Sequence, residues 1–154
     1  MGGGMAAHAQ VAPSAQMTIR RKLIDKLERS EVPNDTKASF KTMVVTLLKA
    51  REGDEELAEP NTKSFKLLLE FYSQPTRRMW MLPSMAINPE GIFIAAWGIP
   101  GDDWLVTFDP SGGVTWKYLK RKENGEVVRL VGKYDEIDYE TGPPIVIPKR
   151  PLAA

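Results

Sequence analysis

The sequence contains no cysteine and a single histidine, His8, among its 154 residues. Without thiols the chain cannot form a disulfide bond, and it offers neither a cysteine nucleophile nor a thiolate metal site. We expect His8 to lie in a disordered stretch, so no histidine is available in the folded part as a general base or a metal ligand. Hydrolases with a serine–histidine pair, ribonucleases with a histidine pair and histidine metal centres are therefore excluded.

A long hydrophobic run and a large net charge are also missing. No apolar stretch approaches the roughly 20 residues that a membrane-spanning helix needs, and the start of the sequence lacks the charged and apolar regions of a secretory signal. The formal charge is +1, so binding to nucleic acid or to an anionic surface would have to come from a local patch. We expect a cytoplasmic protein with no membrane partner.

The composition divides the chain into three parts. Residues 1–16 are small, polar or glycine, which predicts a disordered leader. Residues 17–140 carry the apolar patterning of a single α+β domain, with a helical part at 17–76 and an antiparallel sheet at 80–132. Four prolines among the last twelve residues argue against a helix or a central strand there. Residues 141–154 are therefore predicted to form an extended, proline-rich tail.

Three amphipathic helices are predicted before the sheet, each from apolar residues that recur at helical spacing. Helices of about 12 residues are marginal alone, so we expect all three to pack on the sheet. The expected starts and stops are Met17 and Ser30 for the first helix, an Asn34 or Asp35 cap and Arg51 for the second, and an Asn61 or Thr62 cap and Pro75 for the third.

Short apolar runs separated by turn clusters predict an antiparallel β-meander of four to five strands, because parallel crossovers need longer connections. The expected strands are Ile92–Trp97, Trp104–Phe108, Val114–Leu119 and Val127–Val131, with Ser84–Asn88 as a further strand at the front. Ile92, Ile94 and Ala96 give the first of the four a second apolar face, which predicts a strand covered on both sides. The expected fold class is α+β, with about three N-terminal helices packed on a C-terminal antiparallel sheet.

Carboxylates are the remaining residues that could support catalysis or metal binding. Asp102 and Asp103 fall in a predicted hairpin loop, and an acidic group follows at residues 135–140. Neither spacing matches a metal-binding motif, and turn aspartates more often cap backbone N–H groups. No glycine-rich phosphate loop occurs. We therefore predict no catalytic residue, no metal site and no cofactor, and a Mg²⁺-dependent enzyme stays a less favoured alternative.

The favoured hypothesis is a protein-interaction module that binds and inhibits another protein, such as a toxin or a host or phage factor. Tryptophan is enriched at interface hot spots, and an Ile-Val-Ile segment in the tail could add a strand to an exposed sheet edge, either the chain's own or a partner's. The residues predicted to contact the partner are Trp80, Trp97, Trp104, Trp116, Arg121, Ile145, Val146 and Ile147.

A nucleic-acid-binding accessory protein is the alternative hypothesis. Basic residues beside an exposed tryptophan would combine charge with a stacking surface for single-stranded RNA or DNA. The residues that would form this patch are Arg77, Arg78, Lys117, Lys120, Arg121 and Lys122.

The run from Leu67 to Tyr118 resembles a set of small uncharacterised bacterial proteins. They share an apolar helix, a W-x-L-P-S segment, a P-x-G turn before a strand that ends in tryptophan, and a D-P-x-G turn. The corresponding pieces here are Leu67–Phe71, Trp80–Ser84, Pro89-Glu90-Gly91, Trp97 and Asp109–Gly112. The resemblance implies an antitoxin-like role, in which the protein inhibits by binding and carries no catalytic residues.

Overall fold

A computed structural model describes residues 18–74, 81–99 and 102–133, apart from the side chain of Ile99. The described part contains three helices followed by a five-stranded antiparallel sheet, so the predicted α+β fold is confirmed. The elements are α1 at residues 18–29, α2 Asn34–Ala50, α3 Thr62–Ser73, β1 Ser84–Ile87, β2 Phe93–Ile99, β3 Asp102–Asp109, β4 Gly113–Arg121 and β5 Val127–Lys133.

The sheet is a simple meander in which each strand pairs with the next along the chain, in the order β1-β2-β3-β4-β5. The described turns after β1, β3 and β4 fall in the predicted clusters, whereas Asp102 and Asp103, predicted to lie in a hairpin loop, belong to β3. In the β4–β5 hairpin, Gly125 adopts a φ of +86° and donates to the Lys122 carbonyl at 3.0 Å. Glycine takes this left-handed conformation without a steric penalty, so Asn124-Gly125 marks the hairpin as the sequence predicts.

The two predicted helix caps have different outcomes. Asn61 caps α3, and its side-chain oxygen accepts a hydrogen bond from the Ser64 N–H at 2.9 Å. The prediction for α2 is wrong, because Asn34 is already helical and the preceding residue is Pro33, which makes no side-chain cap. Proline supplies a suitable backbone conformation before a helix but has no side-chain acceptor.

The core lies between the helices and one face of the sheet, which we name the covered face. Helix α2 packs on β1, and α3 packs on β2 and β3. The side chains that the strands bury there are Met85, Phe93, Ala95, Trp97, Trp104, Val106, Phe108, Val114 and Tyr118.

We name the opposite side of the sheet the open face. The expectation that β2 is covered on both sides is wrong for the described residues, because Ile92, Ile94 and Ala96 remain half-exposed. The apolar stripes of α2 and α3 are both used on the covered face. Only one helical layer is therefore present in the described part of the chain.

Candidate protein-interaction site

Strand β5 forms one edge of the sheet and pairs only with β4 among the described strands. The large hydrophobic residues exposed in the described part all lie on this strand: Val127 is 49%, Leu130 40% and Val131 71% exposed. Edge strands of monomeric proteins are usually protected by short length, bulges, charge or a covering element. Exposed apolar side chains on a seven-residue edge strand therefore make β5 the candidate binding surface of the described part.

The outer edge of β5 presents four residues whose backbone groups pair with no described strand. At the hairpin, the Lys122 N–H donates to the Glu126 carbonyl at 2.8 Å, which makes this a hydrogen-bonded pair. Hydrogen-bonded and non-hydrogen-bonded pairs alternate in an antiparallel ladder. The backbone groups of Val128, Leu130 and Gly132 therefore point toward β4. The residues whose N–H and C=O groups point away from the sheet are Val127, Arg129, Val131 and Lys133.

The opposite edge of the sheet differs from β5 in length and in cover. Strand β1 has four residues and packs against α2. Its Ile87 carbonyl accepts a hydrogen bond from the Arg51 guanidinium at 3.3 Å. An outward-facing backbone acceptor of β1 is thus already used within the fold. The longer β5 edge is the better site for a partner strand.

The open face of the β4–β5 hairpin carries one cation in every row of the ladder. The cation lies alternately on β5 and β4, and its cross-strand neighbour is uncharged. The rows are Lys133–Thr115, Lys117–Val131, Arg129–Leu119 and Arg121–Val127. Asp103 of β3 lies 3.4 Å from Arg121, in an ion pair that is largely exposed and therefore weak. This end of the open face is basic and interleaved with apolar residues.

Trp116 gives the hairpin an apolar surface on its covered face as well. It pairs with Gly132 across the ladder, and a Cβ built on Gly132 would lie 2.5 Å from the indole ring. The ring therefore lies directly over the glycine, a packing that a larger residue would prevent. Trp116 is only half-buried, and Leu130 beside it is exposed. Both faces of β5 thus offer apolar contact area next to the free edge.

Two of the four tryptophans predicted to contact a partner belong to the core. Trp97 and Trp104 are 1% and 0% exposed, and their rings stack with centroids 4.7 Å apart. They are directly paired between β2 and β3, and the Trp97 indole N–H donates to the Met81 carbonyl at 2.6 Å. Neither side chain is accessible to a partner, so both are removed from the candidate surface.

The other predicted residues are distributed as follows. Trp116 and Arg121 belong to the β4–β5 hairpin and are accessible. Lys117 and Arg121 share the open face, whereas Lys120 projects from the covered face and Lys122 lies in the turn, so the four basic residues do not form one patch. Those outside the described residues are Arg77, Arg78, Trp80, Ile145, Val146 and Ile147.

Sequence reasoning missed Arg129 and Lys133, and it did not identify Val127 and Val131 as partner contacts. A signal for them was present, since residues 127–133 alternate valine and a cation on one face: Val127, Arg129, Val131 and Lys133. Alternation of this kind indicates a strand face that is neither core nor fully solvated. Its position at the edge became clear only from the sheet order.

The described residues contain no group of three or more histidine, aspartate or glutamate side chains that could hold a metal ion. Burial raises the pKa of Tyr118, and a hydrogen bond to Asp102 and the charge of Asp102 raise it further. The phenol therefore stays protonated at neutral pH and serves as a hydrogen-bond donor. No helix in the described segments is both long and apolar enough to cross a bilayer.

A groove of about 770 Å³ lies between α1 and α3. Its charged lining includes two ion pairs, Asp25 with Arg29 at 3.4 Å and Lys66 with Glu70 at 3.9 Å. These pairs are exposed and neutralise one another. The two pairs have no net charge and therefore give no argument for a charged ligand.

Comparison with known proteins gives no independent guide to function: no family model, no curated protein and no solved structure matches the chain.

Proposed function

We propose that this protein is a non-enzymatic, cytoplasmic interaction module that inhibits another protein in the manner of an antitoxin. It binds by adding an extended segment of its partner to the outer edge of β5. The observation that carries this proposal is the concentration of exposed hydrophobic side chains, Val127, Leu130 and Val131, on a strand that pairs only with β4 among the described strands. The inhibitory role, with a toxin or a host or phage factor as partner, is what the sequence resemblance of residues 67–118 to small uncharacterised bacterial proteins implies.

Strand addition uses features that β5 already has. Four outward-facing residues supply backbone donors and acceptors, which give affinity to any extended chain laid beside them. Side chains on the two faces of the edge then select the partner, because alternate residues of the added strand lie beside them. The apolar area around Trp116, Leu130 and Val131 adds burial to these backbone bonds.

The experiment removes one outward-facing backbone N–H of β5 and leaves the hydrogen bonds between β4 and β5 unchanged. In Val131→Pro, the proline lacks an N–H that points away from β4, and an edge strand tolerates proline at such a position. The matched control, Val131→Thr, keeps the N–H and the β-branched shape. Both full-length variants and the unchanged chain are immobilised, and proteins retained from native cell lysate are identified by mass spectrometry.

We expect a partner to be retained by the unchanged chain and by Val131→Thr, and to be lost with Val131→Pro. Recovery of the same proteins by all three chains would contradict binding at this edge. Circular dichroism spectra of the variants check that the sheet is intact, so a loss of binding is not a loss of fold.

A nucleic-acid-binding role is the second candidate, favoured by the charge of the same hairpin. Residues 113–133 contain six basic and two acidic side chains. A local excess of positive charge binds polyanions with an affinity that falls steeply as salt rises, even where the cations lie on both faces. Retention on a heparin column that is lost between low and moderate salt would support this candidate, and no retention at low salt would contradict it.

A further inference from the structure

The chemistry of the partner segment can be read from the residues that would lie beside it. An added strand would be the neighbour of β5 and would present alternate side chains to the open face. The β5 residues on that face are, in order, Val127, Arg129, Val131 and Lys133. Arg129 and Lys133 make no ion pair among the described residues. Arg121 and Lys122 of the same hairpin each make one.

We propose that the partner segment is acidic, with carboxylates four residues apart opposite Arg129 and Lys133. This inference rests on the proposed addition of a partner strand to β5. The rise of a strand, about 3.4 Å per residue, is the same in the added strand and in β5, so this spacing stays in register. Apolar side chains between the carboxylates lie opposite Val127 and Val131. Cross-strand pairs of opposite charge stabilise such an arrangement, and like charges destabilise it.

The covered-face side of the edge selects apolar residues at the remaining positions. There the added strand would lie beside Val128, Leu130 and Gly132, with the Trp116 ring over the glycine. No described residue of β5 itself is charged on this side, and Lys120 of β4 lies across from Val128. The segment that fits both sides has an acidic residue at every fourth position, opposite Arg129 and Lys133, and apolar residues between them.

Two other occupants fit the site less well. A second copy of the chain would bring an equally basic hairpin to the edge, and the two would repel each other. Single-stranded nucleic acid would be expected to stack on aromatic side chains. The open face of the described strands carries none, since its residues are aliphatic, polar or charged.

The test uses two synthetic ten-residue peptides with blocked ends, one with glutamate at every fourth position and valine elsewhere, and one with lysine in place of each glutamate. Each carries a fluorophore, and binding to the full chain is followed by anisotropy. We expect the glutamate peptide to bind at least about tenfold more tightly than the lysine peptide. The preference should weaken as salt rises, because exposed charges are screened.

A charge-swapped variant separates partner chemistry from fold. In Arg129→Glu combined with Lys133→Glu, the preference should reverse, so that the lysine peptide binds better. This gain of binding requires a folded chain. The matched control combines Lys41→Glu with Lys63→Glu, which changes the total charge equally at exposed helical positions. It should keep the original preference.

Each other outcome contradicts a defined part of the account. Equal binding of both peptides, lost in Val131→Pro, would retain strand addition and overturn the acidic partner. Absence of peptide binding both to the unchanged chain and to the chain with the acids of residues 135–140 neutralised, or binding unaffected by Val131→Pro, would overturn the proposed function itself. Binding of a ten-nucleotide oligothymidine but of neither peptide would favour nucleic acid.

The chain itself contains an acidic–apolar run at residues 135–140. Peptide binding that appears only after its four acids are neutralised in the full chain would identify that run as the occupant and would overturn an external partner. Those changes are Asp135→Asn, Glu136→Gln, Asp138→Asn and Glu140→Gln.

Discussion

The Ser64 hydroxyl donates a hydrogen bond to the Phe108 carbonyl at 2.5 Å and connects helix α3 to strand β3. The same oxygen accepts a hydrogen bond from the Phe93 N–H at 2.8 Å, so one buried hydroxyl bridges two strands and a helix. Ser64 is one of two buried polar side chains in the described core. A short side chain thereby fixes where the helical layer meets the sheet.

Replacing Ser64 by alanine should lower the free energy of unfolding by about 1–3 kcal/mol, because two buried backbone groups lose their partner. Chemical denaturation of the full chain measures this difference. Ser39→Ala is the control, since the Ser39 hydroxyl makes one long, exposed bond of 3.4 Å within its own helix. A similar effect of the two substitutions would contradict a bridging role for Ser64.

Gly91→Ala should destabilise the fold by about 3 kcal/mol or more, for two reasons. Gly91 has a φ of +85°, which strains any residue with a Cβ, and that Cβ would overlap the Glu59 carbonyl oxygen. Gly53→Ala is the control for the strain of a positive φ alone. Gly53 has a similar φ of +80°, and the space around the position of a Cβ is open. Thermal unfolding of both variants should show a clearly larger loss at Gly91, and equal losses would contradict this close contact.

Arg51→Lys should destabilise the protein by about 1–3 kcal/mol, although the charge is kept. The guanidinium donates to the Ile87 and Asn88 carbonyls at 3.3 and 3.2 Å and to the Ala58 carbonyl at 2.5 Å. A lysine ammonium cannot reach three carbonyls with the same planar geometry. Arg29→Lys, in an exposed ion pair, should change stability by less than about 0.5 kcal/mol. A tolerated Arg51→Lys would show that these bonds do not hold the β1 edge.

The Asp109 turn should make stability depend on pH. Hydrogen bonds from the Ser111 N–H and hydroxyl and from the Gly112 N–H lower the pKa of Asp109 in the folded protein. A lowered pKa contributes stability above the pKa of the unfolded state, and this contribution is lost as pH falls through the folded value. Asp109→Asn should therefore be less stable than the unchanged chain at pH 7, by no more than about 1 kcal/mol at this exposed site. The difference should shrink below about pH 4, and a constant difference from pH 7 to pH 3 would contradict the assignment.

The sequence predicts the elements well because their signals are local. Asn61 supplies a cap within one turn of its helix, and Gly125 marks its hairpin without reference to the rest of the chain. The choice of buried face is not local. Ile94 and Ala95 are both apolar, and only the position of the helices leaves one half-exposed and buries the other.

The candidate site could be predicted only in part, because accessibility depends on strand register. Trp97 and Trp104 resemble interface anchors in the sequence, yet their direct pairing between two central strands places both in the core. Arg129 and Val131 gain their significance from the last position of β5 in the sheet and from the direction of its backbone groups. Neither property is encoded in the residues immediately around them.

Amide hydrogen exchange of the full chain, read residue by residue by NMR, tests the free β5 edge most directly. The amides of Val128, Leu130 and Gly132 should exchange slowly, because they bond to β4, and those of Arg129 and Val131 should exchange quickly. Adding the glutamate–valine peptide should protect Arg129 and Val131 and leave the exchange of the other three unchanged. Slow exchange of Arg129 and Val131 in the free chain, or no change on adding the peptide, would contradict a free edge that accepts a partner strand.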